Sequence, residues 1–265
     1  MSLVNRMSLS YPLALSIFLV LISVFISQVG AVALAANWDT IGRDTFSTYT
    51  RYGVALATIV LLWRMGIVKQ SGISNPYNQW AKRWYIAILP IIFVGCLNFI
   101  NIHWSQMSFT LTGVTAWLFD NLSTGVFEEI MMRSLAFYLL YRAWQHSNHG
   151  LYKAAFAQAL IFGLLHFINL INGFQIDVIA QVIYATFLGV SFAGIVAYSK
   201  TIWPAAIAHG FVNAIGNLNS TFVPDYVETS TAASTYAIYI LVIFVVATLP
   251  GLYMLKLANQ RQEVR

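Results

Sequence analysis

Three short clusters of ionisable and amide side chains lie within long apolar stretches of this chain. The first is Glu128-Glu129-Ile130-Met131-Met132-Arg133, the second ends at His166, and the third joins His209 to Asn213. Ionisable residues are expensive inside a membrane span, so those that occur there are candidates for function. A carboxylate base, a second polar ring and a pair of hydrogen-bond donors are sufficient for water to attack a carbonyl group. Together the clusters therefore indicate a hydrolytic site.

The first cluster contains two adjacent glutamates and one arginine. Glu129 and Arg133 are four residues apart, so they share one face of a helix and can form an ion pair. Glu128 points about 100° away from Glu129 on a regular helix, so it can face a cavity while Glu129 is neutralised. One negative charge or one proton is then left over, which is a way to tune a general base. The alternative is a structural charge cluster at the membrane interface.

The second and third clusters each place a histidine one helical turn from another motif residue. Phe162 precedes His166, and His209 precedes Asn213. His209 and Asn213 share a helical face and can both donate hydrogen bonds to one oxygen atom. Phe162 is expected to pack rather than to react. Each cluster by itself also fits polar contacts between membrane helices.

Apolar helices must hold these clusters, because 59% of the 265 residues are hydrophobic and only 9% are charged. Ordinary soluble domains contain about 25% charged residues. A membrane span needs about 20 mostly apolar residues. We therefore predict an all-α polytopic membrane protein, a single transmembrane domain over residues 1–265, with about eight transmembrane helices. The predicted spans are Tyr11–Ala36, Tyr49–Trp63, Trp84–Ile100, one within Thr110–Tyr141, Ala154–Leu170, Ile176–Tyr198, Ile202–Leu218 and Thr235–Leu257.

The basic residues report topology rather than a nucleic-acid partner, because they are scattered between the apolar runs and form no patch. With both termini inside, the inner segments contain Arg6, Arg64, Lys69, Lys82, Arg83, Arg142, Lys153, Lys200, Lys256, Arg261 and Arg265. The outer loops then contain the basic residues Arg43 and Arg51 with the acidic residues Asp39, Asp44, Asp177, Asp225 and Glu228. This bias predicts that the N- and C-termini are cytoplasmic.

Two segments leave alternatives open. Thr110–Tyr141 can form one long tilted helix, or a short helix with a break near Asp120 and Asn121, in which case Asp120 caps or flanks the motif helix. We count one span there, because two would place Arg142 and Lys153 outside. The N-terminal run also resembles a signal peptide that ends at Ala33-Leu34-Ala35, but it is longer than the usual apolar region of such a peptide.

The ordered motifs E-E-x-x-x-R, F-x-x-x-H and H-x-x-x-N, found here at residues 128–133, 162–166 and 209–213, resemble the CAAX protease and bacteriocin-processing family. This family, also called Abi, includes the type II CAAX prenyl endopeptidases. The resemblance covers about Ser123 to Leu218, and Trp203-Pro204 is similar to the usual lead-in to the third motif. It implies an eight-helix membrane fold with a catalytic core at about 123–218, and peptide-bond hydrolysis within the membrane.

The resemblance also implies a role for each motif residue. Glu128 would activate water as general base, and His166 would help to hold that water. His209 and Asn213 would form the oxyanion hole. The residues that would orient or support the site are Glu129, Arg133 and Phe162. The implied partners are the lipid bilayer and a peptide or a prenylated, membrane-anchored protein substrate.

The sequence leaves three alternatives to compare. The family has been described both as metalloproteases and as glutamate-dependent proteases, and Glu128, His166 and His209 would satisfy the two-histidine, one-carboxylate pattern of catalytic zinc. We favour a reaction without a cofactor, because a neutral Asn213 on the face of His209 suits an oxyanion hole better than a zinc shell.

A non-catalytic bacteriocin-immunity or scaffold protein could use the same clusters as interhelical contacts. A transporter is disfavoured, because the chain has no repeated halves.

Overall fold

The computed structural model is almost entirely helical. It describes residues 3–35, 43–172, 175–227 and 231–263, and these ranges contain no β-strand. The α-helices are α1 (Leu3–Ser10), α2 (Pro12–Ala35), α3 (Arg43–Arg64), α4 (Trp84–Leu97), α5 (Leu111–Glu129), α6 (Tyr138–Trp144), α7 (Gly150–Leu165), α8 (Ile176–Ser199), α9 (Trp203–Gly216), α10 (Leu218–Phe222), α11 (Ala233–Ile243) and α12 (Leu249–Glu263). Two π-helical segments join α5 to α6 and α11 to α12, at Ile130–Phe137 and Phe244–Thr248. Residues of the predicted loops and spans that lie outside the described ranges are Ala36, Asp39, Glu228 and Arg265.

Each of the eight predicted spans coincides with a helical segment, and five of these segments are long and apolar enough to cross a membrane. The five are Pro12–Ala35, Trp84–Asn101, Gly150–Ile171, Ile176–Ser199 and Ala233–Arg261. Of the others, α3 begins and ends with a charged residue, and α9 has 14 residues, fewer than the roughly 20 that span a bilayer. The all-α membrane fold is confirmed, and eight crossings remain a prediction.

The outer helices expose large apolar side chains over wide surfaces. Phe18, Phe25 and Leu56 are 60%, 62% and 62% exposed. Contiguous apolar surface of this kind is rare on soluble monomers and marks contact with a membrane or a partner. The bilayer that the composition predicts would cover these residues.

The fourth predicted span is one continuous helical rod from α5 through the π-helical segment to α6. Thr110 caps the N-terminus of this rod, because its hydroxyl oxygen accepts a hydrogen bond from the backbone N–H of Gly113 at 3.0 Å. No break occurs at Asp120, which lies inside α5 and forms an ion pair with Arg51. The placement of Arg51 in an outer loop is wrong, since it lies inside α3. A charge from a neighbouring helix makes an acidic residue tolerable within this rod.

Small residues bring α5 and α9 into backbone contact. A Cβ atom on Gly125 would lie 2.7 Å from both the carbonyl oxygen of Ala206 and the backbone nitrogen of Gly210. Small residues at helix interfaces let backbones approach closely in this way. The two glutamates of the first motif follow Gly125 by about one turn, so this contact holds them beside the helix that carries His209.

Candidate active site

The ion pair of the first motif is completely buried. The NH1 atom of Arg133 lies 2.8 Å from Oε1 of Glu129, and both side chains have 0% exposure. The rod changes from α- to π-helical directly after Glu129, which the residue spacing does not predict. Short π-helical insertions occur frequently at functional sites. The guanidinium has no partner with hydrogen-bond geometry among the described residues, so its attraction to Glu129 is mainly that of two opposite charges.

Two aromatic rings complete the surroundings of Arg133. Its Cζ atom lies 4.8 Å from the ring centroid of Phe162 and 4.8 Å from that of Phe192. A guanidinium over an aromatic face is stabilised by the ring quadrupole. Phe162 therefore packs, as its motif position predicts. Phe192 is a contact that sequence reasoning misses, because it is one of many large apolar residues in α8.

His209 lies between the two glutamates. Its Nδ1 is 2.8 Å from Oε1 of Glu129, and its Nε2 is 3.4 Å from Oε2 of Glu128. An ionised carboxylate only accepts hydrogen bonds, so Nδ1 carries a hydrogen and donates it to Glu129. The ring of Phe192 stacks on the imidazole at 4.9 Å and 17°, and Phe162 meets it edge-on at 6.0 Å. Two carboxylates and two rings thus fix the orientation of His209.

The charges of this group balance when it holds one extra proton. Glu128 and Glu129 contribute two negative charges when ionised, and Arg133 contributes one positive charge. A proton on Nε2 of His209, or on Glu128, would make the group neutral and complete the 3.4 Å contact between them. A proton that moves between His209 and Glu128 therefore leaves the net charge of the group unchanged.

His166 and Glu128 line the same cavity, of about 250 Å³. His166 begins a 3₁₀-helical stretch, His166–Asn172, directly after α7. Its Nδ1 lies 2.9 Å from the carbonyl oxygen of Phe162, which can only accept, so Nδ1 donates and Nε2 is left as an acceptor. One water occupies about 30 Å³ in the liquid. The cavity thus has room for several waters beside a carboxylate and an imidazole nitrogen.

Polar residues from three other helices, and one from the same 3₁₀ stretch as His166, also line this cavity: Ser27, Gln28, Arg51, Gln181 and Asn169. Arg51 is held by Asp120 and by the hydroxyl of Ser123, which lies 2.9 Å from its Nε. Apolar walls come from residues such as Val20, Met131 and Leu165. Sequence reasoning misses Arg51 as a cavity residue, because its position before an apolar run is typical of a loop.

Asn213 is the one predicted site residue that stays apart from this group. It lies one turn after His209 on α9 and is half-buried, and like His209 it is not among the residues that line the cavity. Unlike His209, its side chain forms no contact with Glu128 or Glu129. Its backbone carbonyl accepts a hydrogen bond from the N–H of Asn217 at 2.9 Å. The structure thus brings Glu128, Glu129 and His209 together, with His166 on the shared cavity, and leaves the amide of Asn213 outside.

The donor types at this site suit zinc, but their placement does not form a ligand set. Both histidines donate Nδ1–H to an oxygen, which is the usual arrangement of a metal-binding histidine, although Nε2 of His209 already contacts Glu128 at 3.4 Å. Glu128 and His209 are 3.4 Å apart, a spacing that two ligands of one ion can have. Within the part of the chain that the structure describes, however, no three His, Cys, Asp or Glu side chains are grouped to hold a metal ion.

Residues 110–215 match the family described as type II CAAX prenyl endopeptidase Rce1-like. This match confirms the resemblance that the motifs indicate. It covers less than half of the chain, and it includes every motif residue. Comparison with curated proteins and with solved structures gives no match. The similarity of this core to the family, with the apolar helices, supports an intramembrane endopeptidase: an integral membrane protein that acts on a peptide or protein substrate.

Proposed function

We propose that this protein hydrolyses peptide bonds within the membrane by means of a water molecule that Glu128 activates. One observation carries the proposal: Glu128 lines a cavity together with His166, while its carboxylate contacts the imidazole of His209 at 3.4 Å. A general base must reach the proton that it removes, and it needs space for the water beside it. The family name suggests a peptide or a prenylated, membrane-anchored protein as substrate.

In the proposed reaction, Glu128 takes a proton from water as the water oxygen bonds to the carbonyl carbon of the substrate. Nε2 of His166 accepts a hydrogen bond from the same water and orients it. The carbonyl oxygen becomes an oxyanion. The protonated Glu128 then gives its proton to the amide nitrogen, the carbon–nitrogen bond breaks, and an acid and an amine leave. No proton is lost or gained overall.

The oxyanion needs donors that are already in place when its charge develops. We assign this role to His209 and Asn213. His209 is the better placed of the two, because Glu129 and Phe192 fix its ring beside Glu128. Neither His209 nor Asn213 lines the cavity, and the amide of Asn213, which lacks the contacts of His209 with the two glutamates, must turn towards a bound substrate. We therefore expect Asn213→Ala to lower kcat by at most about 10²–10³-fold, the cost of one oxyanion-hole donor, in single-turnover assays.

Glu129 and Arg133 act as positioning residues in this proposal. Oε1 of Glu129 contacts both NH1 of Arg133 and Nδ1 of His209, each at 2.8 Å. The arginine therefore reaches the reacting groups only through Glu129 and the aromatic rings. Zinc enters no step, since its three candidate ligands do not form a set.

The direct test is Glu128→Gln, assayed with purified protein and candidate membrane peptides. The amide keeps the shape of the side chain but cannot take a proton, so peptide cleavage should fall to background. Asp225→Asn is the matched control, because it makes the same acid-to-amide change in an exposed loop, and its activity should equal that of the wild type. Full activity in Glu128→Gln would show that Glu128 is not the general base, whereas a wild type that cleaves none of the peptides would favour the scaffold alternative.

Elemental analysis of active protein separates the two protease mechanisms. Our mechanism requires no metal, so chelators should leave activity unchanged. One tightly bound zinc per chain, lost together with activity in His209→Ala, would replace the glutamate mechanism with a zinc mechanism. That result would leave peptide-bond hydrolysis as the function.

A further inference from the structure

One end of the helix bundle gathers the basic segments of the chain. Asn5 connects α1 to two of them, since its amide nitrogen lies 3.4 Å from the carbonyl oxygen of Met65 and its oxygen accepts from Arg142 at 3.1 Å. The backbone N–H of Ile202 donates to the carbonyl of Gly72 at 3.2 Å. The guanidinium of Arg261 lies over the ring of Tyr198 at 4.7 Å. We call this region the basic end, and its cations are Arg6, Arg64, Lys69, Lys82, Arg83, Arg142, Lys153, Lys200, Lys256 and Arg261.

The opposite end, here called the far end, is formed by residues 98–110, 175–176 and 217–227. Its segments also contact one another: the N–H of Ser108 donates to the carbonyl of Phe222 at 2.8 Å, and the amide of Asn219 donates to the carbonyl of Asn101 at 2.8 Å. These three segments contain no lysine or arginine. Arg43, the first residue of α3, is a basic residue that also lies on this side of the bundle.

This contrast assigns the basic end to the cytoplasm. Lysine and arginine concentrate in the cytoplasmic segments of membrane proteins. Ten basic residues lie at the basic end against Arg43 at the far end, and Arg51 belongs to α3 rather than to a loop. The difference therefore does not depend on any one residue.

The active-site cavity extends from the middle of the bundle towards the far end. Helices α2 and α7 run away from the basic end, and the cavity is lined by Gln28 in the second half of α2 and by Asn169 beyond the end of α7. Helices α3 and α8 run towards the basic end, and they contribute Arg51 and Gln181 from their first halves. Glu128 lies near the middle of the rod that contains α5 and α6.

Polar residues lie near the far end of the cavity, beside Ile168, which is 47% exposed. The amide of Asn169 donates to the side-chain oxygen of Gln181 at 2.9 Å, and Gln28 and Asn169 are exposed. Polar groups are costly against hydrocarbon and are tolerated where they meet water. The three amide side chains at this rim therefore favour an aqueous opening, since an opening to lipid would leave them against hydrocarbon.

We infer that the active site opens to the side of the membrane opposite to the termini and receives its substrate from the non-cytoplasmic side. The inference rests on the proposed function for the identity of the site. The substrate class is then a peptide segment presented outside the cytoplasm: an exported peptide, or the outward part of a membrane-anchored protein. A substrate whose cleavage site lies in the cytoplasm, such as the prenylated end of a cytoplasmic protein, could not reach Glu128 along this route, so the inference favours the peptide among the substrates that the family name suggests.

Cysteine labelling tests the opening without using proteolysis as its readout. In a Cys96→Ser background, Asn169→Cys places a thiol at the rim, and Gln79→Cys places one on an exposed residue of the basic end. A charged, membrane-impermeant maleimide should label Asn169→Cys in intact cells. It should label Gln79→Cys only in inside-out membrane vesicles. Gln28→Cys, on a different helix, repeats the rim test if Asn169→Cys does not fold.

Labelling of the rim cysteines from the cytoplasmic side would overturn the inference. So would failure to label them from either side while the detergent-solubilised protein reacts. Neither result depends on Glu128, so the outcome of Glu128→Gln is independent of it. With an active wild type, a peptide added outside intact cells should be cleaved, and the Glu128→Gln cells should leave it intact.

Discussion

Within the described helices, arginine and a carboxylate form two ion pairs, and these are constructed in opposite ways. Glu129 and Arg133 belong to one helical rod, and both side chains are 0% exposed. Arg51 and Asp120 join α3 to α5, and their side chains are 17% and 35% exposed. Glu129 of the first pair contacts His209, whereas Arg51 of the second lines the cavity.

The partners around each pair differ as well. Arg133 has two aromatic faces and no hydrogen-bond partner among the described residues. In the other pair, Asp120 accepts a hydrogen bond from the hydroxyl of Thr48 at 2.7 Å, and Nε of Arg51 donates to Ser123 at 2.9 Å. Water can replace a partner at the exposed pair but cannot readily do so at the buried one. The cost of losing one partner should therefore differ greatly.

Arg133→Ala should give the largest effect. It leaves Glu129 as an uncompensated buried charge, which costs about 3–5 kcal/mol in soluble proteins. Both the yield of folded protein and the activity should fall, as measured by thermal unfolding in detergent and by peptide cleavage. Arg51→Ala is the matched control and should unfold close to the wild type. A fully stable but inactive Arg133→Ala would show that Arg133 acts directly on the reaction.

Replacing both partners of the buried pair separates folding from positioning. Glu129→Gln combined with Arg133→Met removes both charges and keeps similar volumes, and exchanges of this kind are often neutral for stability. The double variant should thus recover folded yield. It should stay less active than the wild type, because Nδ1 of His209 loses the carboxylate that it contacts at 2.8 Å. Recovery of full activity would show that Glu129 has no positioning role.

Phe192→Leu should give an intermediate effect. The ring contacts both Arg133 and His209, and each aromatic contact contributes about 0.5–1.5 kcal/mol beyond its buried area. We expect a modest loss of stability and a lower kcat with little change in KM, because His209 becomes less well oriented. Phe187→Leu is the control on the same helix, since Phe187 contacts Phe244 at 5.3 Å instead. Equal kcat values for the two variants would contradict a positioning role for Phe192.

The sequence predicts the buried pair well and the exposed pair poorly, for physical reasons. Four-residue spacing places Glu129 beside Arg133 because both belong to one rod, and the ion pair tolerates the π-helical segment between them. The contact of Arg51 with Asp120 joins two helices that are distant in sequence, and no local pattern contains that information. The hydropathy of α3 also rises only after Arg51, so the residue looks like part of a loop.

The difference between local patterns and contacts distant in sequence also explains which other parts of the site and the fold can be predicted. Long apolar runs locate the helices, and costly charges inside them locate Glu128, His166 and His209. No sequence pattern marks Phe192, because its contact with the site depends on which face of α8 packs against Arg133. The close approach at Gly125 depends on a partner surface on α9. Hydropathy alone also cannot decide whether a charged helix such as α3 crosses the membrane.

Asp120→Asn should give the smallest effect and is the sharpest comparison with Glu129→Gln. Both variants change an acid to its amide in α5. Asparagine at 120 keeps an oxygen that can accept from Thr48 and Arg51, and water can solvate the exposed part, so we expect a loss below about 1 kcal/mol. Glutamine at 129 leaves Arg133 as a buried, unpaired charge, and its loss should be several-fold larger. Thermal unfolding of both variants in one detergent measures the difference. Equal losses of stability in the two variants would contradict the argument that burial makes the Glu129–Arg133 pair more sensitive to the loss of one charge than the Arg51–Asp120 pair.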